Sequence, residues 1–252
     1  MDEFELHVWG VWGVLLAAMI TAVVLTSISA PYGRFSRGGW GPSIPSRLAW
    51  VVMESPAVVG FTWVFFQGQY ALEAVPLFMF GLWQLHYFHR TCIFPFRVRE
   101  SGKTMPLVIM CIGFVFQGVN SWLNASWISQ LGSYSRDWFA DPRFVIGVLL
   151  FFTGWVINIW ADTILIHLRK PGDKGYQIPE GMLYRFVSCP NYLGELIEWS
   201  AWALLTWSGA GLAFMVYTAA NLIPRAITNH HWYQEKFPEY PSSRRAVIPF
   251  VF

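Results

Sequence analysis

The sequence predicts an all-α, polytopic integral membrane protein with seven transmembrane helices. Three observations predict it: the composition, the long uncharged stretches and the placement of the positive charges. Apolar residues make up 55% of the 252 residues and charged residues only 13%, about half of the roughly 25% that is usual in soluble domains. The mean hydropathy is +0.40. This composition excludes a soluble globular domain and a disordered chain.

A helix that crosses a bilayer needs about 20 mostly apolar residues, and the uncharged stretches supply them in order along the chain. The predicted spans lie in residues 8–33, 48–69, 74–88, 105–134 and 144–168, and residues 191–228 are long enough for two more. The third stretch is short. The break between the last two spans is predicted at Ser208-Gly209-Ala210-Gly211, where small residues suit a tight turn.

Connecting segments rich in lysine and arginine alternate along the chain with segments that are poor in them. The segments after the first, third, fifth and seventh spans carry three or four of them, whereas the others carry two or none. By the positive-inside rule the N-terminus is outside and the C-terminus is cytoplasmic. The acidic start is unlike a signal peptide. We find no internal repeat, so residues 1–252 are predicted to form a single membrane domain.

Charge and cysteine content exclude two further classes. The net charge is only +2, with no basic block, so nucleic-acid binding has no electrostatic support. Cys92, Cys111 and Cys189 fit neither a disulfide framework nor a zinc site. We expect no metal, and no obligate protein partner is evident.

Ionisable side chains inside a span are costly and therefore indicate function. Glu54 lies in the second span shortly before Pro56, where the helix is expected to kink. Tyr87 ends the third span and is expected at a similar depth, because the two spans are antiparallel neighbours. A carboxylate beside a phenol makes a candidate general acid. The alternatives are a Glu–Arg pair near the headgroups and a tyrosine of the interfacial belt.

The later spans carry two polar stripes. Asn158, Asp162 and Arg169 are spaced to share one face of the fifth span. Asn191, Glu195 and Trp199 then recur every four residues in a helix that Ser188 could cap and Pro190 could begin. The amide groups at such a helix start bind anions such as phosphate. Each stripe could instead only pack its helix against a neighbour.

The ionisable groups of the spans lie toward the cytoplasmic side, with arginine and lysine at the mouth. A channel would have polar groups along its whole pore, and a transporter would bind its substrate near the midplane of the bilayer. The arrangement favours an enzyme that takes a phosphate-bearing cofactor from the cytoplasm and an apolar substrate from the membrane lipid. The residues alone do not distinguish a nicotinamide cofactor from a methyl donor.

Six motifs in order resemble the steroid 5α-reductases, the 3-oxo-5α-steroid 4-dehydrogenase family, and a bacterial-type homologue is expected. The motifs are His86–Arg90 (HYFHR), Asn158–Asp162 (NIWAD), Leu168–Gly172 (LRKPG), Tyr176–Gly181 (YQIPEG), Asn191–Trp199 (NYLGELIEW) and Tyr240–Phe250 (YPSSRRAVIPF). The resemblance implies a seven-helix oxidoreductase that uses NADPH to reduce the 4,5 double bond of a 3-oxo-Δ4-steroid. It implies that residues 1–140 mainly bind the steroid and residues 141–252 mainly bind NADPH.

The resemblance also assigns roles to residues. Glu54 and Tyr87 would be the catalytic pair that hydrogen-bonds the 3-keto oxygen, with Met53 beside them in the substrate site. The residues that would bind NADPH are Asn158, Asp162, Arg169, Tyr176, Asn191, Glu195, Trp199, Arg225, Tyr233 and, with a looser alignment, Arg97.

Two residues depart from the family pattern, and related activities remain open. Met53 replaces a typical glutamine, and Asn229 replaces a frequent histidine. The alternatives are a related reductase of a polyprenol or enoyl thioester, an isoprenylcysteine-type membrane methyltransferase and a transporter. The physiological steroid and the host membrane, bacterial or endoplasmic reticulum, are also left open.

Overall fold

A computed structural model of the chain describes residues 2–98, 102–168 and 175–251. It is mostly helical, with one small sheet. The α-helices in these ranges are α1 (Glu3–Ser27), α2 (Ser46–Ser55), α3 (Phe61–Phe65), α4 (Ala74–Phe88), α5 (Phe94–Arg97), α6 (Leu107–Ser126), α7 (Pro142–His167), α8 (Pro190–Thr206) and α9 (Gly209–Lys236). The strands β1 (Ser43–Pro45) and β2 (Thr104–Pro106) pair antiparallel, with Ile44 opposite Met105.

Helix α1 begins five residues before the predicted span because its acidic start forms a capping box. The Asp2 carboxylate accepts a hydrogen bond from the Glu5 backbone at 2.7 Å, and the Glu5 carboxylate accepts from the Asp2 backbone at 3.2 Å. Many large apolar side chains of α1 are exposed, among them Trp9 and Val23. An apolar helix with so little buried surface is suited to contact with lipid.

Helices α2 and α3 form one rod with a π-helical turn at Pro56–Gly60, which is the kink expected from Pro56. Proline has no backbone N–H, so it leaves a carbonyl of the preceding turn without its helical partner. The Ser55 hydroxyl donates to that carbonyl, on Val52, at 2.8 Å. The Trp83 indole donates to the carbonyl of Ala57 at 2.8 Å, which ties the bend to α4.

Helix α4 has the bounds of the predicted third span and continues through a second π-helical turn, His89–Ile93, into α5. A third π-helical turn, Trp127–Leu131, extends α6. Asp141 caps α7 by accepting from the Arg143 backbone at 2.8 Å.

Helices α8 and α9 meet at the predicted break. Trp207 adopts a left-handed conformation with φ of 45°, and Ser208 accepts from the Gly211 backbone at 2.9 Å to cap α9. Pro190 occupies the first turn of α8, as predicted, but the cap is Cys189 and not Ser188. The Ser188 hydroxyl does not cap α8, because it forms hydrogen bonds with His230 Nδ1 and the Tyr240 hydroxyl instead, both at 2.6 Å.

Five helical rods in the described ranges are long and apolar enough to cross a membrane: Glu3–Ser27, Ser46–Phe65, Leu107–Leu131, Pro142–His167 and Gly209–Lys236. The remaining two predicted spans correspond to α4, with 15 residues, and α8, with 17 residues. Both are shorter than the usual span of about 20 residues. The mostly helical membrane fold is therefore confirmed, whereas the count of seven crossings and the orientation stay predictions.

Among the described helices, α7 and α8 share the most extensive interface. Gly154 and Gly194 lie at their crossing, where a Cβ atom on Gly194 would be 2.5 Å from the Asn158 backbone nitrogen. Aromatic residues including Phe61, Trp83, Trp199, Trp202 and Phe214 fill the core beside this pair. The close contact brings the two predicted polar stripes face to face.

Candidate active site

Two adjoining cavities open between the helices. The larger has a volume of about 610 Å³ and is lined mainly by α1, the segment after α1, α7, α8 and α9, with single residues from α2, α5 and the turn after α4. The smaller has a volume of about 390 Å³ and is lined by α1, α2, α4, α6, α8 and α9. Trp50, Arg90 and Arg225 line both cavities. Both volumes fall within the range of about 300–1,000 Å³ that is typical of small-molecule sites.

The smaller cavity contains the predicted pair Glu54 and Tyr87, with a third polar side chain between them. Gln117 Nε2 on α6 donates to Glu54 Oε2 at 2.6 Å, and its amide lies 3.4 Å from the Tyr87 hydroxyl. All three side chains are buried. The expected proximity of carboxylate and phenol is therefore observed, but their link runs through Gln117.

The ring of Tyr87 is held by its neighbours. It stacks on Trp199 at a centroid distance of 5.5 Å and lies 4.8 Å from Trp83. Aromatic packing on two sides holds the ring in place, and the hydroxyl is the polar end of the side chain. The phenol is thus oriented by packing, which favours a defined hydrogen bond to a bound molecule.

His86 and Glu198 form a second buried polar pair beside Tyr87. His86 Nδ1 lies 2.8 Å from Glu198 Oε1, and Glu198 is fully buried. Within the described ranges, Glu198 Oε2 has no hydrogen-bond partner. Glu198 lies off the predicted α8 stripe, and His86 is the partner that α4 supplies.

Arg90 joins the two polar stripes where the cavities meet. Its Nη1 lies 3.2 Å from Asp162 Oδ2 and its Nη2 lies 3.3 Å from Glu195 Oε1. The guanidinium also lies over the rings of Trp50, at 5.1 Å, and Phe94, at 4.6 Å. Arg169, which is predicted to share a helical face with Asp162, lies outside the described residues.

Amide side chains complete the contact between α7 and α8. Asn191 Nδ2 donates to Asp162 Oδ1 at 2.9 Å. Asn158 Nδ2 donates to the Asn191 carbonyl at 3.0 Å and lies 3.2 Å from Glu195 Oε1. The packing interpretation of the stripes is therefore observed, whereas the functional interpretation stays a prediction, although Asp162, Asn191 and Glu195 do line the cavities.

The larger cavity has an aromatic cage around Arg34, formed by Tyr176, Trp232 and Tyr233. The Arg34 guanidinium lies 4.6 Å from the Trp232 ring and 4.7 Å from the Tyr233 ring, and Nη2 donates to the Tyr233 hydroxyl at 3.2 Å. Burial alone would lower the pKa of Arg34, but the Tyr233 hydroxyl raises it above its usual value, so the side chain stays cationic. Arg34 Nη1 is buried and has no partner among the described residues. A guanidinium with an N–H group left without a partner suits a phosphate ligand.

The predicted cofactor residues divide between the two cavities. Asp162, Tyr176, Asn191, Arg225 and Tyr233 line the larger cavity, as does Asn229. Glu195 and Trp199 line the smaller one, together with Met53. Asn158 and Arg97 line neither; Arg97 Nη2 donates to Thr163 Oγ1 at 2.8 Å.

The C-terminal segment is hydrogen-bonded to Ser188 and Cys189, two residues that line the larger cavity. The backbone N–H groups of Ser188 and Cys189 donate to the carbonyls of Arg245 and Ala246 at 2.8 and 3.1 Å. Burial raises the pKa of the Cys189 thiol to about 12, so the thiol stays protonated and neutral. The described residues include no group of three His, Cys, Asp or Glu side chains that could hold a metal ion.

Sequence reasoning missed Gln117 and Arg34 as site residues. Gln117 was visible as an amide within an apolar span, while Arg34 was used only in the charge count. It also singled out none of the amides of α6. The structure shows further buried amides on α6, Asn120 and Asn124, and Asn124 Oδ1 accepts from the Trp202 indole at 2.8 Å.

Comparison with known proteins gives a family match and several similar full-length proteins. The family model described as 3-oxo-5-alpha-steroid 4-dehydrogenase matches residues 103–252. Steroid 5-alpha-reductase DET2 of Arabidopsis thaliana is 45% identical over 246 residues, covering 94% of each chain. The 3-oxo-5-alpha-steroid 4-dehydrogenase 1 of Rattus norvegicus is 40% identical over 236 residues, covering 93% of this chain and 91% of the rat protein. The expectation of a bacterial-type homologue stays a prediction.

Proposed function

The chain belongs to the 3-oxo-5-alpha-steroid 4-dehydrogenase family, and from this premise we propose that it uses NADPH to reduce the 4,5 double bond of a 3-oxo-Δ4-steroid. The chain is an oxidoreductase of the class that acts on CH–CH groups, and an integral multi-pass membrane protein. The proposal adds the cofactor, the substrate class and the residues that act on each.

The observation that carries the proposal is the polar trio Glu54, Gln117 and Tyr87 in a mostly apolar cavity. Apolar side chains such as Ile112, Phe116 and Phe214 line the same space. A rigid, largely apolar steroid with a 3-keto group matches a mostly apolar cavity that holds this polar trio. The steroid would reach this cavity from the membrane lipid.

The larger cavity supports the NADPH part of the proposal. Arg34 and Arg225 are cations that would bind phosphate groups, and Asn191 and Asp162 would hydrogen-bond polar parts of the dinucleotide. Bound NADPH would supply the hydride for C5 of the steroid. Trp50, Arg90 and Arg225 line both cavities, so a molecule in one would meet a molecule in the other there.

The chain's own residues would act on the steroid carbonyl. As the double bond is reduced at C5, negative charge develops on the 3-keto oxygen. Tyr87 would donate a hydrogen bond or a proton to that oxygen, and Glu54 would orient the phenol. Their burial keeps water away and strengthens the interaction in the transition state.

A reduction assay tests the proposal. The purified chain, in detergent or nanodiscs, is incubated with NADPH and testosterone, progesterone or a polyprenal, and the products are identified by mass spectrometry. We expect a 5α-reduced 3-oxosteroid and no polyprenal reduction. Reduction of the polyprenal alone would assign the chain to a related reductase. Binding of S-adenosylmethionine in place of NADPH would refute the reductase proposal.

A further inference from the structure

The geometry of the smaller cavity raises the question of how a carboxylate acts on a phenol that it does not contact. Among the described residues, no hydrogen bond joins Glu54 directly to the Tyr87 hydroxyl, and the Gln117 amide lies between them. We propose that Gln117 is the positioning residue that couples Glu54 to Tyr87 and sets the phenol for its hydrogen bond to the substrate carbonyl. This inference rests on the proposed function.

The chemistry of the groups fixes the orientation of the amide. Gln117 Nε2 donates to Glu54 Oε2 at 2.6 Å, with the amide nitrogen as the donor and the carboxyl oxygen as the acceptor. That nitrogen has a second hydrogen, and it lies 3.4 Å from the Tyr87 hydroxyl oxygen. One NH₂ group can therefore donate to the carboxylate and to the phenol oxygen at once.

This arrangement gives the amide a definite effect on Tyr87. Without a carbonyl in the cavity, the phenol O–H can donate to Gln117 Oε1, which is 3.4 Å away. When the O–H turns to a substrate carbonyl, the phenol oxygen can accept from the amide N–H. That hydrogen bond stabilises the negative charge that the phenol oxygen gains as its proton shifts toward the substrate.

The position of Gln117 is fixed by close packing of α6 against α2. Gly113 lies one turn before Gln117, and a Cβ atom there would be 2.5 Å from Met53 Cγ and Sδ. The neighbouring Phe116 ring stacks on Tyr217 of α9 at 3.7 Å, which holds the rotation of α6. The sequence neighbour of Glu54 thus packs on the helix that carries Gln117, and both polar side chains are brought to one corner.

A half-buried glutamine on another helix provides a comparison. Gln84 Nε2 on α4 donates to the Val58 carbonyl and to Thr62 Oγ1, at 3.2 and 3.0 Å. It links two helices as Gln117 does, but it lines neither cavity. The effect of Gln84→Leu therefore measures the loss of an interhelical amide contact by itself.

The test compares Gln117→Leu with Gln84→Leu in steady-state assays, with thermal unfolding and NADPH binding as folding controls. For Gln117→Leu we expect kcat to fall about 10- to 100-fold, the range for losing one hydrogen bond to a charged group. The steroid KM and the affinity for NADPH should stay near the wild-type values. Gln84→Leu should lower the unfolding temperature and leave kcat unchanged.

Two further variants separate positioning from structure. In a Tyr87→Phe background, Gln117→Leu should cause little additional loss, because the amide acts through the phenol. Gln117→Glu can donate to its neighbours only when its new carboxyl is protonated, so its activity should decline as pH rises, beyond any decline of the wild type. The titratable and charged groups that line this cavity are Tyr32 after α1, Glu54 on α2, His86 and Tyr87 on α4, Arg90 after α4, Glu195 on α8, and Tyr217 and Arg225 on α9.

Three outcomes would overturn the inference while leaving the proposed function intact. They are a wild-type kcat in Gln117→Leu, multiplicative losses in the double variant, and a wild-type pH profile in Gln117→Glu. A wild-type protein that reduces no steroid with NADPH would instead refute the proposed function, and the inference with it.

Discussion

We predict that a single methyl group added at the crossing of α7 and α8 will force the two helices apart. In Gly194→Ala the new Cβ would lie 2.5 Å from the Asn158 nitrogen and 2.7 Å from the Gly154 carbonyl oxygen. Both are backbone atoms, so no side-chain rotation relieves the clash. To reach ordinary contact at 3.4 Å, the backbones must separate by 3.4 − 2.5 = 0.9 Å.

That separation would also break hydrogen bonds between the helices. Asn158 Nδ2 lies 3.0 Å from the Asn191 carbonyl and Asn191 Nδ2 lies 2.9 Å from Asp162 Oδ1. A further 0.9 Å would take both beyond 3.5 Å. Overpacking of this kind costs about 1–3 kcal/mol. For a chain of this size, that corresponds to a fall of about 2–12 °C in the unfolding temperature.

The assay is thermal unfolding in detergent, followed by tryptophan fluorescence, together with NADPH titration. Gly81→Ala is the matched control, since Gly81 is also helical and a Cβ there would have no neighbour within 4 Å. It should be neutral or slightly stabilising, because alanine favours helix over glycine by about 1 kcal/mol. If Gly194→Ala unfolds at or above the temperature of Gly81→Ala, the described crossing is wrong.

Three other predictions address the mechanism, the cofactor and the topology. Tyr87→Phe should reduce turnover by about 10²–10⁴-fold, the range for losing a positioned general acid, with NADPH binding retained. Adding Glu54→Gln to this variant should cause little further loss of turnover. A wild-type rate in Tyr87→Phe would make Tyr87 a tyrosine of the interfacial belt. Asn191→Ala should weaken NADPH binding in a fluorescence titration by about 0.5–1.5 kcal/mol. The control Ser200→Ala, on the exposed side of the same helix, should leave the affinity for NADPH unchanged. Equal affinities in the two variants would remove Asn191 from the cofactor site. Reporter fusions at Phe252 and in the turn at residues 69–73 should report opposite sides of the membrane, and finding both on one side would contradict seven crossings.

The sequence by itself determined the helices and the faces on which their polar residues lie. Uncharged stretches located the helical rods, because a bilayer span requires consecutive apolar residues. The α-helical repeat placed Asn158 with Asp162, and Asn191 with Glu195, on common faces. These are local properties, and the structure keeps each of them. Helix ends were less predictable, since they depend on caps such as Asp2 and Cys189.

Only the tertiary structure decided which helices face one another. At one crossing Gly113 leaves room for the Met53 side chain, and at another Gly194 allows close backbone approach. The first brings Gln117 of α6 beside Glu54, and the second brings the α7 and α8 stripes together. Arg34, distant in sequence from Tyr233, reaches it across the larger cavity. Such pairings depend on long-range packing, which helical periodicity does not specify. The roles of Gln117 and Arg34 in the site are therefore visible only in the tertiary structure.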